Sequence, residues 1–340
     1  MALVTREIDL NDYLHLSRNF VPGWLYQGEA WLAAVRDGFG VEVSGLLTET
    51  PDGKAVALTP VMSMRKGLFR LTGSPLRGTY TEFAGPLFDR EADEGIKREV
   101  LVSQHTRIRR QGANYIEWGE KGGSLNNHMD ILRDQGYEYV PRPTLVIDLG
   151  QGIDKVWIGF QGRARNMVRK AEKNAVAVRL ITPSMENMSD YYNMLTETFR
   201  RQGGYPPHPL SFFLAICERL TPADQLKLVV AKKNDRTVAA ALFLCHGERM
   251  MYLSGTSTEE GAQLAANSLI QWIAMKQAAD MGVTEYDLGG TGNPAIDKFK
   301  MSFGGQALNH HRWIFRTWPA KLAESGYRWL AGKGWVRLHG

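Results

Sequence analysis

Residues 162–173, GRARNMVRKAEK, set Arg163, Arg165, Arg169, Lys170 and Lys173 against a single acid, Glu172. On a helix, Arg165, Arg169 and Lys173 recur at i, i+4 and i+8 and share one side, while Ala164, Val168 and Ala171 turn inward. Like charges at that spacing repel by roughly 0.2–0.5 kcal/mol per pair, so a helix built for stability alone would intersperse acids. Two readings fit: a solvated face, or a grip on an anion in which Arg165, Asn166, Arg169 and Lys170 take part. A second concentration lies in EYDLGG at 285–290 and DKFKMSFGG at 297–305. Asp287 falls at the C-terminal end of an apolar strand, where sites in α/β proteins gather. There it either accepts a proton from an amine, a step worth typically 10²–10⁴-fold, or caps a loop.

Several other chemistries are excluded by what is missing. There is no G-x-S-x-G elbow and no G-x-x-x-x-G-K-[ST] phosphate loop. The eight histidines include no H-x-x-x-H spacing, and the adjacent His310 and His311 point apart on any regular element, so no metal is expected. Cys217 and Cys245 sit in apolar runs outside any C-x-x-C motif and read as buried thiols. GTGNPA at 290–295 imitates a dinucleotide fingerprint, but no acidic residue follows at the spacing a ribose contact requires.

The elements that must position these residues form a repeat. Residues 41–73 read as a three-stranded meander broken by PDGK and RKG, and residues 226–254 as another broken by KNDR and HGER. Asp-Gly and Asn-Asp are hairpin turn chemistry. Each meander is preceded by a helical run (28–38 and 208–220). Each is followed by a longer helix (about 92–111 and 262–281), a glycine at the helix C-cap position (Gly112 and Gly282) and a short strand. Duplication of one α/β (α+β) domain explains this order, with domains at 1–150 and 151–312 divided near PRPTLVIDLGQG. Meander, helix, strand is the core order of GNAT acyltransferases, so two tandem GNAT-like domains are expected, each a mixed central sheet with helices on both faces. The 340 residues, 44% hydrophobic and 23% charged with net charge +5, suit two globular domains and a phosphate-bearing partner. The backbone-amide loop Q/R-x-x-G-x-G/A that holds the CoA pyrophosphate is not found. Before the second long helix the chain reads GTSTEEGAQLAANS, where Glu259 and Glu260 oppose a pyrophosphate.

Four segments in order, GRARNMVRKAEKNAVAV, MMYLSGTS, EYDLGG and DKFKMSFGG, resemble the Fem family of cell-wall peptidyltransferases (FemA/FemB/FemX type). The resemblance covers most of 151–312 and is carried above all by K-F-K-x-x-F-G-G. It implies a donor that is aminoacyl-tRNA, no cofactor, and an acceptor amine on a nucleotide- or lipid-linked cell-envelope precursor held between the two domains. It further implies that Lys300, beside Phe299, lies near the reacting groups, where a fixed cation stabilises an oxyanion or a phosphate. Tyr252 matches a substrate-contacting position, and Tyr252 and Ser254 alternate on one face of the third meander strand. Arg201, in FRRQGGYPP, matches a precursor-phosphate ligand, a task that suits a guanidinium.

Two other readings remain open at this stage: a CoA-dependent N-acyltransferase of the same fold using acetyl-CoA or another acyl-CoA, and a non-catalytic RNA-binding module. The basic helix carries no aromatic platform of the kind RNA readers use. The tail from 313 to 340, rich in cations and in aromatics up to Trp335, is expected to pack on the first domain or to rest on a membrane. A charged N-terminus and the lack of a long apolar run lead to an expected cytoplasmic location, at the inner face of the membrane if the tail touches lipid.

Overall fold

The computed structural model describes residues 3–20, 23–122 and 125–332. Thirteen strands follow in chain order: β1 (Val4–Ile8), β2 (Glu42–Glu49), β3 (Ala55–Lys66), β4 (Phe69–Ser74), β5 (Leu87–Phe88), β6 (Ala113–Lys121), β7 (Tyr137–Asp148), β8 (Ala177–Ile181), β9 (Leu226–Lys233), β10 (Arg236–His246), β11 (Arg249–Ser257), β12 (Glu285–Gly290) and β13 (Gln306–Arg316). They divide between two compact units. Unit 1 takes the chain up to Arg142 and again from His310 onward; unit 2 runs from Pro143 to Asn309. The division therefore falls inside β7 and β13, whereas the sequence reading set it at 150/151 and 312/313.

In unit 1 the antiparallel ladder β1-β2-β3-β4 leads through helix Glu94–Arg110 to β6, which runs parallel to β4. β13 then pairs antiparallel with β6, from His310↔Lys121 to Arg316↔Tyr115. In unit 2, β8-β9-β10-β11 is again antiparallel, helix Ala266–Asp280 crosses over, and β12 returns parallel to β11 before pairing with β7. This is the duplicated helix, meander, helix, strand unit that the sequence reading describes. Turn chemistry fixes the ladders. Asn234 and Asp235 both take positive φ (48° and 60°) between the paired Lys233 and Arg236, the geometry that matches strand twist in a two-residue hairpin. Gly112 and Gly282 adopt φ of 82° and 79°, ending the two crossover helices as a left-handed residue does.

Unit 2 has its core on one face of its sheet. Ala164, Val168 and Ala171 of helix Gly162–Lys173 and Leu269, Ile270 and Ala274 of helix Ala266–Asp280 bury against Val229, Ala231, Ala241 and Phe243. Helices Met185–Arg201 and Leu210–Leu220 take part on the opposite side, through Tyr191 against Phe213, 5.8 Å between ring centres. Unit 1 centres on Trp118, Trp313, Leu46 and Ile116. The aromatic tail thus enters the unit 1 core through Trp313, while Trp335 lies outside the described residues. No described helix is long and apolar enough to cross a membrane.

Candidate active site

The two parallel pairings differ in a way that matters. β4 and β6 stay together over their whole length, from Arg70↔Ala113 to Ser74↔Trp118. β11 and β12 pair only at Arg249↔Glu285, Met250↔Tyr286 and Met251↔Asp287, then part. Beyond that point lie Tyr252 on one strand and Leu288–Gly290 on the other. Helix Pro294–Met301, started by Asn293 capping the amides of Ala295 and Ile296, delivers Lys300 to this opening. Lys300 as a whole is only 6% exposed, and its ammonium donates to the Gly290 carbonyl at 2.6 Å and stands 5.9 Å above the Tyr252 ring. Gly289, at φ 78°, is required here: a Cβ would come within 3.0 Å of the Tyr252 carbonyl and 3.5 Å of the Lys300 ammonium.

Asp287 is fully buried just beneath. One carboxylate oxygen accepts from the Thr144 hydroxyl and, at 2.7 Å, from the Gly289 amide; the other accepts from Arg249, which also pairs with Glu285 at 2.8 Å. With both oxygens so engaged, Asp287 holds the Gly289 turn and neutralises Arg249. That differs from the proton acceptor considered from sequence, because no amine reaches a carboxylate sealed on both sides.

Tyr252 and Ser254 do not share a face. A β-bulge at Leu253 puts Tyr252 opposite Phe243 but Ser254 opposite Leu242. Tyr252 therefore packs against Phe243 on the core side, 5.6 Å between rings, with its hydroxyl over Gly255. Ser254 turns the other way and accepts from Tyr191 at 2.7 Å. On that second side Thr198 and Thr256 join their hydroxyls at 2.7 Å, and Arg201 donates to Thr198 at 3.1 Å and to the Ser257 carbonyl. Tyr191 and Thr198 had no sequence signal. Phe299 meets Phe303 edge-on at 5.1 Å and packs, partly buried, against the core of unit 2.

The basic helix is divided in its duties. Arg165 donates to the carbonyls of Ile158 (2.9 Å) and Phe160, closing the C-terminus of helix Ile153–Gly159, so it is not part of the exposed cationic row. Arg169 lies over the Trp157 ring at 5.6 Å and keeps solvent access, as do Arg163, Asn166, Lys170 and Lys173. The helix start is tied to the lysine-bearing helix: the Gln161 amide donates to the Ser302 carbonyl at 2.9 Å. Arg165→Ala is expected to cost on the order of 1–2 kcal/mol in thermal unfolding, because two carbonyls near a helix end lose their donor. The Arg169 and Lys170 substitutions are expected to leave the melting temperature unchanged.

Where β11 runs on towards the crossover helix, the chain forms a short acidic turn, Glu259–Gln263. Thr258 caps its own Gly261 amide at 3.0 Å, and Gly261 is pressed so closely on the Val238 carbonyl that a Cβ would lie 2.0 Å away. Glu259 and Glu260 stay exposed above it. Cys217 and Cys245 are free thiols whose burial raises their pKa, that of Cys245 to about 12, so neither is a ready nucleophile. Among the described residues no His, Cys, Asp and Glu group has the arrangement of a metal site.

Residues 160–301, within unit 2, match the family model described as an acetyltransferase (GNAT) domain. Comparison with curated protein sequences gives no match. Among solved structures, the fold is that of tandem GNAT proteins: one from the clavulanic acid biosynthesis pathway superposes with a TM-score of 0.56 at 10% identity, covering 92% of this chain and 98% of that one. More particularly, the fold is of the Fem type. FemX superposes with a TM-score of 0.70 at 15% identity over 96% of this chain and 99% of its own. The C-terminal domain of a protein assigned as a lysylphosphatidylglycerol synthetase, from Agrobacterium fabrum, gives 0.56 at 12% identity over 96% of each chain.

Proposed function

We propose that the protein moves an aminoacyl group from aminoacyl-tRNA to an amine of a cell-envelope precursor, nucleotide- or lipid-linked. One observation carries the choice of donor. The place where a CoA pyrophosphate would need open backbone amides holds instead the acidic turn Glu259–Gln263, capped by Thr258 and packed on Val238. The exposed row of Arg163, Arg169, Lys170 and Lys173 offers phosphates a better seat.

In the reaction the neutral amine attacks the ester carbonyl carbon. A C–N bond forms, the C–O bond to the terminal ribose breaks, and the amine proton ends on the departing hydroxyl. Negative charge gathers on the carbonyl oxygen in between. Lys300, held by the Gly290 carbonyl and Tyr252 at the parting of β11 and β12, supplies a pre-set ammonium for that oxygen. Asp287 acts through others, fixing the turn that presents Gly290. Tyr252 lines the reacting side. Ser254 and Arg201 belong to the hydroxyl-rich second side and are assigned to the acceptor there. The similar C-terminal domain from a protein assigned as a lysylphosphatidylglycerol synthetase supports a cell-envelope acceptor. The acetyltransferase-domain match favours the runner-up, transfer from an acyl-CoA.

Parallel titration of charged tRNA and acetyl-CoA at one fixed salt concentration separates the two. Saturable tRNA binding is expected, weakened at least about tenfold in Arg169→Ala/Lys170→Ala, with the salt dependence shallower by about two ion equivalents. Tight acetyl-CoA binding together with tRNA affinity indifferent to those substitutions would establish the CoA-dependent reaction instead.

A further inference from the structure

The β3–β4 hairpin of unit 1 and the β10–β11 hairpin of unit 2 occupy the same place in the repeat and turn in the same way. Lys66 pairs with Phe69 around Gly67-Leu68, and His246 pairs with Arg249 around Gly247-Glu248. The leading glycines have φ of 60° and 56°. In unit 2 the second turn residue is Glu248, whose carboxylate accepts from Thr284 at 3.2 Å. In unit 1 it is Leu68, 95% exposed. Turn chemistry asks for nothing apolar at that position, and burial gives the fold no return on this leucine.

Its neighbours share the pattern. Arg65 and Lys66 are exposed on the same hairpin, and the Lys66 ammonium lies 5.3 Å from the Tyr327 ring of helix Trp318–Gly332. That helix exposes Trp318 (73%) and Leu322 (55%), one turn apart on one side, beside Lys321, which pairs with Glu138 at 2.8 Å and leaves Arg65 and Lys66 as the cations of the patch. Arg77 holds it down through Glu324 at 3.1 Å. Large apolar side chains standing among cations form a surface suited to a layer with anionic headgroups over hydrocarbon. The apolar tips enter the acyl boundary, tryptophan sits at headgroup level, and the cations meet the negative surface.

We propose that unit 1 docks on anionic lipid through the Leu68 hairpin tip and the Trp318/Leu322 side of the last described helix. Docking goes beyond the donor assignment and stands without it, since lipid binding requires no acyl transfer.

Sedimentation of the full chain with phosphatidylcholine vesicles, and with phosphatidylcholine–phosphatidylglycerol vesicles, tests it at moderate and at high salt. Leu68→Glu copies the residue the other hairpin already carries, so it is expected to keep the native melting temperature. Binding to the anionic vesicles only is expected, reduced by high salt and roughly tenfold weaker in Leu68→Glu and in Trp318→Ser/Leu322→Ser. Failure to sediment with anionic vesicles at moderate salt overturns the proposal, and so does equal binding by wild type and Leu68→Glu. A third overturning result is a wild-type dimer in light scattering that Leu68→Glu converts to monomer without any vesicle binding, which would show that a second copy covers the patch.

Discussion

Lys300→Met is expected to lower turnover by roughly 10²–10³-fold while shifting the melting temperature by no more than a few degrees. The rate loss follows from removing a single pre-set donor at a developing oxyanion, worth about 2.7–4 kcal/mol in comparable sites. Methionine keeps the length and apolar stem of the lysine, so the slot between β11 and β12 stays filled. The fold loses the hydrogen bond to the Gly290 carbonyl, 2.6 Å in the native protein, and the cation over the Tyr252 ring. Single-turnover transfer from charged tRNA to precursor reads the effect. If Lys300 acts on the oxyanion, kcat and kcat/KM fall together. If it binds a phosphate instead, KM rises and kcat holds. Turnover within threefold of wild type would sink both roles.

Asp287→Asn is expected to destabilise unit 2 by about 3–5 kcal/mol, towards the lower end because Glu285 still faces Arg249. The amide is nearly isosteric and its oxygen can still accept from Thr144 and Gly289. The loss is therefore electrostatic: a buried guanidinium deprived of the fully buried charge beside it. Combining Asp287→Asn with Arg249→Met removes both charges and is expected to recover much of the stability, a coupling that a double-mutant cycle reads directly. A general base would behave otherwise. Its amide variant would unfold at the wild-type temperature and lose the acidic limb of the pH–rate profile.

What the sequence made legible was local. The repeat could be read because its turns use residues with specific backbone demands, such as Asp52-Gly53 and Asn234-Asp235, and because the crossover helices end on Gly112 and Gly282. The edge strands β1 and β8 escaped, being five residues each and only partly covered, so neither presents a sustained apolar pattern. Lys300 could be picked out by its motif, but not the opening that gives it meaning. The parting of β11 from β12 depends on which residues pair across the sheet. The bulge at Leu253, one extra residue with no compositional mark, sent Ser254 to the opposite face from Tyr252. Arg165 was misplaced for a similar reason. Helix spacing assigns it to the row of cations, yet the chain breaks at Phe160 and leaves carbonyls within its reach. Asp287 and Arg249 lie 38 residues apart and meet only because their strands are neighbours.

The contrast between the closed pair β4/β6 and the parted pair β11/β12 also bears on stoichiometry. Two copies of the unit provide one opening, so under the proposed aminoacyl-tRNA reaction a chain saturated with donor is expected to release a single equivalent of deacylated tRNA in its first turnover. The other copy, relieved of chemistry, is free to change at its hairpins without a catalytic penalty. A leucine could arise at the tip of one hairpin while its counterpart kept a glutamate.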